Sequence, residues 1–247
     1  MSDINKLAEI ARHAGKIIMG YYRTDFVTRR KTDNSPVTLA DTAANEYIIT
    51  ELAKYFPDIP IVSEEGAHDR HGSSRFFLVD PLDGTSGFVR GRGEFTVNIG
   101  LVEDFEAKAG VIFIPVTNEM YSADGKKAWR NDDEIRCREM PHDGVVVLAS
   151  KNHRDAETNA YIEKLRGKYP NLQETSAASS LKFCRIAEGK ADIYPRYGRT
   201  MEWDTAAGHA ILQSAGGSVV TPEGAPFHYG KNQIFENGSF IARGLPS

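Results

Sequence analysis

The sequence predicts a mixed α/β protein in which two α/β halves pack against each other. Three observations support this fold class. The 247 residues suffice for one large domain or two small ones. Apolar residues near the N-terminus recur with helical spacing, and residues 76–123 carry the patterns of successive strands. Strand and helix patterns then alternate to the C-terminus, which favours two halves around a packed core.

Two helices open the chain. In the first, apolar residues follow one another at steps of three and four and so share one helix face: Ile4, Leu7, Ala11, Ala14, Ile18 and Tyr21. Asp3 is a candidate N-cap. A polar loop over 28–38 follows, and Thr38 then caps a second helix that runs to about Tyr55, before Pro57. Its predicted inward side chains are Ala40, Ala44, Tyr47, Ile48, Leu52 and Tyr55.

Strands dominate the rest of the first half. Residues 59–66 begin as a short apolar run, and residues 76–80 form the continuous apolar run of a buried strand. Residues 94–102 alternate apolar and polar side chains, which is typical of a strand buried on one face. Residues 109–115 and 120–124 complete a predicted antiparallel meander.

The polar, turn-rich residues 124–140 separate the two halves. We assign residues 1–135 to an N-terminal half and residues 136–247 to a C-terminal half. In the second half, the sequence patterns predict helices and strands in a mixed order. They are a strand at 145–150, a helix at 155–166, a short helix at 181–189, a strand at 191–196, a helix at 204–217 and strands at 217–222 and 239–244.

The charge balance excludes some classes of protein. Thirty basic and 34 acidic residues leave a net charge of −4, without the basic excess of nucleic-acid-binding proteins. The N-terminus lacks the pattern of a signal peptide, and no apolar stretch is long enough to span a membrane. Cys137 and Cys184 match no zinc or redox spacing and are predicted to be buried thiols. We expect a cytoplasmic protein, with peripheral attachment to the inner face of the membrane left open.

Acidic residues follow apolar runs at three places. The run 76–80 leads into Asp80, Pro81, Leu82, Asp83, Gly84 and Thr85. Glu64 and Glu65 end the run before it, and Asp204 precedes a helix of small residues. A buried carboxylate is costly unless a cation pairs with it. A single such acid is better explained as a helix cap, but the repetition indicates oxygen ligands for a hard cation such as Mg²⁺.

The segment after Asp80 also has a predicted backbone course. We expect Pro81 to end strand pairing and Gly84 to permit a tight turn that feeds a helix at Thr85. Backbone N–H groups at such a helix start suit a phosphate. Carboxylates and a phosphate site together predict metal-assisted hydrolysis of a phosphoester. For Asp41, which stands three residues after Thr38, and for Asp204, helix capping is the favoured local interpretation.

Three motifs in order resemble the inositol-monophosphatase superfamily of Mg²⁺-dependent, Li⁺-sensitive phosphatases. They are the pair Glu64-Glu65, the segment Asp80-Pro81-Leu82-Asp83-Gly84-Thr85, and Trp203-Asp204-Thr205-Ala206-Ala207-Gly208. Residues 31–41, 93–102, 179–196 and 200–208 are most similar to the branch of CysQ-type 3′(2′),5′-bisphosphate nucleotidases. The resemblance covers essentially the whole chain and implies the layered αβαβα sandwich of these phosphatases.

The resemblance also implies roles for individual residues. Glu64, Asp80 and the Leu82 carbonyl would hold one Mg²⁺, and Asp80, Asp83 and Asp204 a second, with two or three ions per active site. Asp41 would accept a hydrogen bond from the Thr85 hydroxyl and activate a water molecule, which overturns its local interpretation as a cap. The implied catalytic residues are Asp41, Glu64 and Thr85. The implied substrate-binding residues are Asp83, Gly84, Thr85, Ser180, Lys182, Arg196 and Asp204.

The implied substrate is adenosine 3′,5′-bisphosphate, or its sulfated form, which connects the enzyme to sulfur metabolism. A second phosphate needs a second anion site, for which Ser180, Lys182 and Arg196 are the candidates, with Lys182 in a short helix that starts near Ser179. Taken alone, Lys182 and Arg196 are better explained as solvated charges. His153 is a candidate for the nucleotide pocket, whereas His209, Trp203 and Tyr194 are predicted to be packing residues.

Three rival functions remain. The first is a phosphatase of the same superfamily that acts on inositol monophosphate or a sugar phosphate. The second is a non-catalytic Mg²⁺- or nucleotide-binding regulator, which the complete set of acids disfavours. The third is a nucleic-acid-binding module, which the net charge disfavours. The sequence leaves open whether the protein is a monomer or a homodimer.

Overall fold

The chain forms alternating layers of helices and sheets. The computed structural model describes residues 3–22, 29–30, 36–37, 39–66, 68–149, 155–177, 180–231 and 233–246. The helices within these ranges are α1 (Asp3–Tyr21), α2 (Leu39–Tyr55), α3 (Thr85–Val89), α4 (Ala156–Lys168), α5 (Leu181–Ala187) and α6 (Ala206–Ser214). A 3₁₀ turn, Glu202–Asp204, precedes α6. The predicted cap Thr38, the predicted helix start at Ser179 and the predicted pocket residue His153 lie outside the described residues.

The described strands number fourteen. They are β1 (Arg29–Arg30), β2 (Pro36–Val37), β3 (Ile61–Ser63), β4 (Arg75–Asp83), β5 (Thr96–Glu103), β6 (Glu106–Ile114), β7 (Glu119–Ala123), β8 (Ala128–Arg130), β9 (Asp133–Ile135), β10 (Val146–Ala149), β11 (Gln173–Ser176), β12 (Ile193–Arg196), β13 (Ser218–Val220) and β14 (Phe240–Arg243).

Two large sheets organise these strands. Among the described residues, β3 to β9 form a seven-stranded sheet in sequence order, in which β3 is parallel to β4 and the other pairs are antiparallel. The second sheet has the order β11-β10-β12-β14-β13. In it β10 is parallel to both neighbours, and β14 is antiparallel to both of its own. The strands β1 and β2 form a separate antiparallel pair.

Three helical layers cover these sheets. The helices α1 and α2 share a buried cluster with one face of the first sheet, including Phe77, Val97 and Phe113. On its other face, α5 and α6 lie in a core that continues into the second sheet through Leu148, Tyr194 and other residues. The helix α4 covers the far side of the second sheet. This arrangement confirms the predicted αβαβα sandwich.

Two glycines let α6 lie directly on the first sheet. Gly100 on β5 pairs with Gly110 on β6. A Cβ atom at Gly100 would stand 2.8 Å from the backbone nitrogen of Ala207, and one at Gly110 would stand 2.8 Å from its Cα atom. Real Cβ contacts are longer, so these positions require glycine for the close packing of helix on sheet. The close approach sets the position of α6 and of the 3₁₀ turn before it.

Several local predictions were wrong for identifiable reasons. Pro81 does not end strand pairing, because β4 continues to Asp83 with an irregular register between Asp80 and Asp83. The alternation in β5 does not leave one face exposed, because helices cover both faces of the sheet and Thr96 and Asn98 are buried. The region 124–140 contains β8 and β9, and β11 was not predicted.

Three further details of the prediction are corrected at helix ends. Tyr55 is exposed although it was predicted to face inward. Asp3 lies within α1 rather than at a capping position before it. Asp204 lies in the 3₁₀ turn, and Thr205 is the residue that directly precedes α6.

Cys137 and Cys184 are both buried and free, as predicted. Within the described ranges, no helix is long and apolar enough to cross a membrane. The peripheral attachment that the sequence left open is not borne out.

Candidate active site

The predicted acids meet at one end of the first sheet. Ser63 pairs with Val79 in the parallel strands β3 and β4, and the Glu64 N–H donates to the Val79 carbonyl at 3.0 Å. Glu64 comes directly after Ser63, and Asp80 comes directly after Val79. The two acids therefore lie at the same end of the sheet, on neighbouring strands. Parallel pairing explains why two motifs that are separated in sequence contribute to one site.

The predicted ligands Asp80, Leu82 and Asp83 lie at the end of β4, where the strand register is irregular and a tight turn follows. Asp80 pairs with Asn98 and Asp83 pairs with Thr96, so β4 has one more residue than β5 in this interval. Such a bulge re-aims side chains and is frequent next to active sites. The Leu82 N–H donates to Asp80 Oδ1 at 3.0 Å. Gly84, with a φ of 93°, then allows the sharp turn into α3.

Electrostatics indicates that five carboxylates share this end of the sheet. Burial raises the pKa of Asp80 well above its ordinary value, and the charges of the other four acids raise it further: Glu64, Asp83, Asp204 and Asp41. Burial and the neighbouring charge of Asp83 raise the pKa of Asp204 to about 8. Like charges in a poorly solvated place disfavour one another's ionised forms. The predicted acidic ligands therefore lie near enough for the charges of Glu64, Asp83 and Asp204 to act on Asp80.

These residues fit a hard divalent cation by their chemistry. The donors are carboxylate oxygens and the Leu82 carbonyl, which Mg²⁺ prefers. A cation among them would offset the repulsion that raises the pKa of Asp80. In the part of the chain that the structure describes, no three or more aspartate, glutamate, histidine or cysteine side chains are already arranged to hold a metal ion.

The contact of Thr85 differs from the predicted one. Its hydroxyl donates to the Leu82 carbonyl at 2.9 Å. A hydroxyl has one proton to donate, so this hydrogen bond replaces the one expected to Asp41. Asp41 lies in the first turn of α2, where it is 2% exposed, and its charge acts on Asp80.

Two cationic side chains of the second half lie beside the acids. Lys182 on α5 is only 5% exposed, and burial lowers its pKa to about 8. The charges of Asp83 and Asp204 raise that pKa and the charge of Arg196 lowers it, so all three lie near the ammonium group. The Lys182 Nζ donates to the Ala177 carbonyl at 3.2 Å and stands 4.9 Å from the centroid of the Tyr194 ring.

Arg196 is held at the end of β12. Its Nε donates to the Gly198 carbonyl at 3.1 Å, and its Nη2 donates to the Arg199 carbonyl at 2.9 Å. Because its charge also lowers the pKa of Lys182, the two cations form one positive region. The interpretation of Lys182 as an ordinary solvated charge is wrong, since the side chain is buried.

Ser180 contacts the acidic site rather than the positive region. Its backbone N–H donates to Asp83 Oδ2 at 2.8 Å. Its hydroxyl donates to Asn98 Oδ1 at 2.9 Å and lies 3.0 Å from the hydroxyl of Thr96. Sequence reasoning missed Asn98 and Thr96. The signal was present, because both are polar side chains inside a strand of otherwise apolar and small residues.

The residues predicted to be packing residues are buried. Trp203 and Tyr194 belong to the main core cluster. His209 is buried on α6, where its Nδ1 lies 3.0 Å from the Tyr229 hydroxyl. Burial lowers the pKa of His209 to about 4, so the ring is neutral near pH 7.

Comparison with known proteins decides the family. A profile described as the inositol monophosphatase family matches residues 2–244. The chain belongs to the inositol monophosphatase family. This membership confirms the resemblance of the three motifs and agrees with the layered fold.

Individual members of the inositol monophosphatase family match nearly the whole chain. The 3′(2′),5′-bisphosphate nucleotidase CysQ of Escherichia coli (strain K12) is 43% identical over 246 residues, which cover 96% of this chain and 98% of that protein. The fructose-1,6-bisphosphatase/inositol-1-monophosphatase of Thermotoga maritima is 31% identical, covering 96% of this chain and 92% of that protein. The crystal structure of CysQ from Bacteroides thetaiotaomicron has a TM-score of 0.86 and 36% identity, covering 98% of this chain and 97% of that chain.

Proposed function

We propose that this protein is a Mg²⁺-dependent phosphomonoesterase that removes the 3′-phosphate of adenosine 3′,5′-bisphosphate. The products are AMP and inorganic phosphate. The sulfated form of the same nucleotide is a second substrate in this proposal. The relatives named as 3′(2′),5′-bisphosphate nucleotidases support it, because 43% identity extends over 96% of the chain.

One observation carries the proposal: the buried Lys182 and the partly exposed Arg196 lie next to the cluster of acids. The pKa of Lys182 responds to Asp83 and Asp204, which are predicted metal ligands, and to Arg196. A substrate with one phosphate needs only the metal site. A substrate with two phosphates needs a second anion site at a short distance, and Lys182 with Arg196 has the charge for it.

The acids would hold the metal ions in the way that the resemblance implies. Glu64, Asp80 and the Leu82 carbonyl form one set of ligands, and Asp80, Asp83 and Asp204 form the other. Two or three ions per site are part of this proposal. When bound, Mg²⁺ supplies positive charge that activates a water molecule at neutral pH and offsets charge on the phosphate.

The protein's own groups then orient the substrate and move the proton. A water oxygen bonds to phosphorus as the bond from phosphorus to the 3′ ribose oxygen breaks. Asp41 accepts the water proton through the Thr85 hydroxyl, which must turn from the Leu82 carbonyl to do so. A proton from solvent restores the ribose hydroxyl. Gly84 and Thr85 contact the departing phosphate, while Lys182 and Arg196 hold the 5′-phosphate.

The two halves divide this work. In our proposal, residues 1–135 carry Asp41 and the ligands on β3 and β4, and residues 136–247 carry the second anion site and Asp204. The relative from Thermotoga maritima, named as a fructose-1,6-bisphosphatase/inositol-1-monophosphatase, makes a sugar or inositol phosphatase the second candidate function.

Phosphate release from three substrates, each with Mg²⁺, tests the proposal. The substrates are adenosine 3′,5′-bisphosphate, inositol 1-phosphate and fructose 1,6-bisphosphate. We expect kcat/KM to be at least about tenfold higher for the nucleotide, a preference of about 1.4 kcal/mol in the transition state. Preference for either of the other substrates would still support metal-dependent phosphate hydrolysis, but it would show that the nucleotide is not the preferred substrate. No release from any of them would favour a binding protein.

A further inference from the structure

A buried polar network joins the two halves beside the acids. Thr96 and Asn98 lie on β5, where both are fully buried, and Ser180 directly precedes α5 and is 2% exposed. The Thr96 hydroxyl donates to Asn98 Oδ1 at 2.9 Å, and the Ser180 hydroxyl donates to the same oxygen at 2.9 Å. Buried polar groups in such a network are costly unless each has a partner.

The network ends on Asp83, a predicted metal ligand. Asn98 Nδ2 donates to Asp83 Oδ2 in a longer contact of 3.4 Å, and the Ser180 backbone N–H donates to the same oxygen at 2.8 Å. One donor comes from the first sheet and the other from the second half of the chain. Asp83 is therefore held at one oxygen from two independent elements.

The hydroxyl groups decide which way the amide of Asn98 faces. Its carbonyl oxygen is the acceptor for the protons of Thr96 and Ser180. With the amide reversed, its oxygen would face the Asp83 carboxylate, and two acceptors would repel each other. The two hydroxyls thus keep the N–H₂ group of Asn98 directed at Asp83.

We infer that Asn98 is a positioning residue, which orients Asp83 as a metal ligand and is itself oriented by Thr96 and Ser180. This inference rests on the metal-binding role of Asp83 in the proposed function. Hydrogen bonds to a coordinating carboxylate fix its direction, and their loss typically lowers metal affinity about 10- to 100-fold. A merely structural role would change protein stability without a specific change in metal affinity.

Calorimetric titration of the full chain with Mg²⁺ alone, without substrate, tests this inference. We expect Asn98→Leu to weaken Mg²⁺ binding about 10- to 100-fold. Thr158→Val is the matched control, because Thr158 is 4% exposed and its hydroxyl donates to Asp155, outside the network and away from Asp83. We expect it to change Mg²⁺ affinity by less than about threefold, even if both variants lower the melting temperature equally.

A second variant keeps the test decisive if Asn98→Leu does not fold. Asn98→Ser retains a buried hydroxyl but is too short to reach Asp83, so we again expect weaker Mg²⁺ binding. Unchanged affinity in a folded Asn98 variant would overturn the inference, and so would an equal loss in Thr158→Val. The proposed function has its own control: if wild type and Asp83→Asn bind Mg²⁺ equally, the metal site itself is wrong.

Discussion

Two charged regions of opposite sign lie side by side in this molecule and are built differently. The acidic region includes Asp80 and Asp83 from the single segment 80–85 at the end of β4, and it is completed by Glu64, Asp204 and Asp41 from other segments. The basic region combines Lys182 on α5 with Arg196 on β12, two separate elements. Burial is the largest cause of the pKa shift in both regions: it raises the pKa of Asp80 and lowers that of Lys182.

The difference lies in what each region needs to be stable. The acids repel one another, since the charges of four neighbours raise the pKa of Asp80. Lys182 is partly compensated, because Asp83 and Asp204 raise its pKa against the effect of burial. The acidic region therefore has the stronger requirement for a counter-ion. The basic region can keep its positive charge without a bound ion, because the neighbouring acids of the protein stabilise it.

The largest expected effect comes from breaking the acidic region. Asp83→Asn retains the shape of the side chain but removes the charge of a proposed metal ligand. We expect kcat/KM to fall on the order of 10³-fold, about 4 kcal/mol in the transition state, because metal ligation contributes several kcal/mol. Phosphate release measures the loss, and circular dichroism checks that the fold is intact. Full activity in a folded variant would refute the role of this region.

His209 provides a second test of what burial does to a charged side chain, because burial is also the largest cause of its pKa shift. Its pKa is about 4 in the folded protein against 6.5 ordinarily, so the unfolded chain binds more protons between these values. Above about pH 6.5 this difference contributes fully to the free energy of unfolding. As the pH falls towards 4, the free energy of unfolding decreases by about 3 kcal/mol.

Urea denaturation between pH 7 and pH 4 measures this dependence. We expect His209→Gln to have a flatter profile of unfolding free energy than wild type. His142→Gln, at an exposed position, is the matched control and should follow the wild-type curve. If His209→Gln also follows that curve, burial does not suppress protonation of this histidine.

The smallest expected effect comes from breaking the basic region. Lys182→Met retains a long unbranched side chain at this buried position and removes the charge that stands over the Tyr194 ring. We expect KM for adenosine 3′,5′-bisphosphate to rise about tenfold or more, since a hydrogen bond to a charged group is worth about 1.5–3 kcal/mol. KM for a monophosphate should change little.

A matched lysine provides the control for this variant. Lys164→Met changes an exposed residue of α4 and should leave both KM values at the wild-type level. An equal rise for the bisphosphate and the monophosphate in Lys182→Met would show that this lysine does not bind the second phosphate.

Much of the fold was predictable because long elements carry a repeated pattern. The spacing of Leu7, Ala11, Ala14 and Ile18 identified α1, and the apolar run before Asp80 identified β4. The three-residue strands β8 and β9 were not predictable, since so few residues show no period. Pro81 was misjudged because a bulge accommodates a proline within a strand.

The candidate site was predictable where its residues are unusual in their local setting. Acids that end apolar runs identified Glu64, Asp80 and Asp83. The network of Thr96, Asn98 and Ser180 was not identified, because its meaning depends on contacts between β5 and the segment before α5. No local pattern indicates that a polar side chain in a strand faces a hydroxyl from the other half.

The sequence by itself determined the fold class, the family motifs and the acids that we propose as metal ligands. These follow from local order along the chain: apolar spacing, strand ends and contiguous motifs. Only the tertiary structure decided that Lys182 is buried beside Asp83 and Asp204, that Thr85 donates to Leu82, and that Asn98 and Ser180 hold Asp83. The physical reason is that burial and electrostatic fields depend on which distant segments pack together.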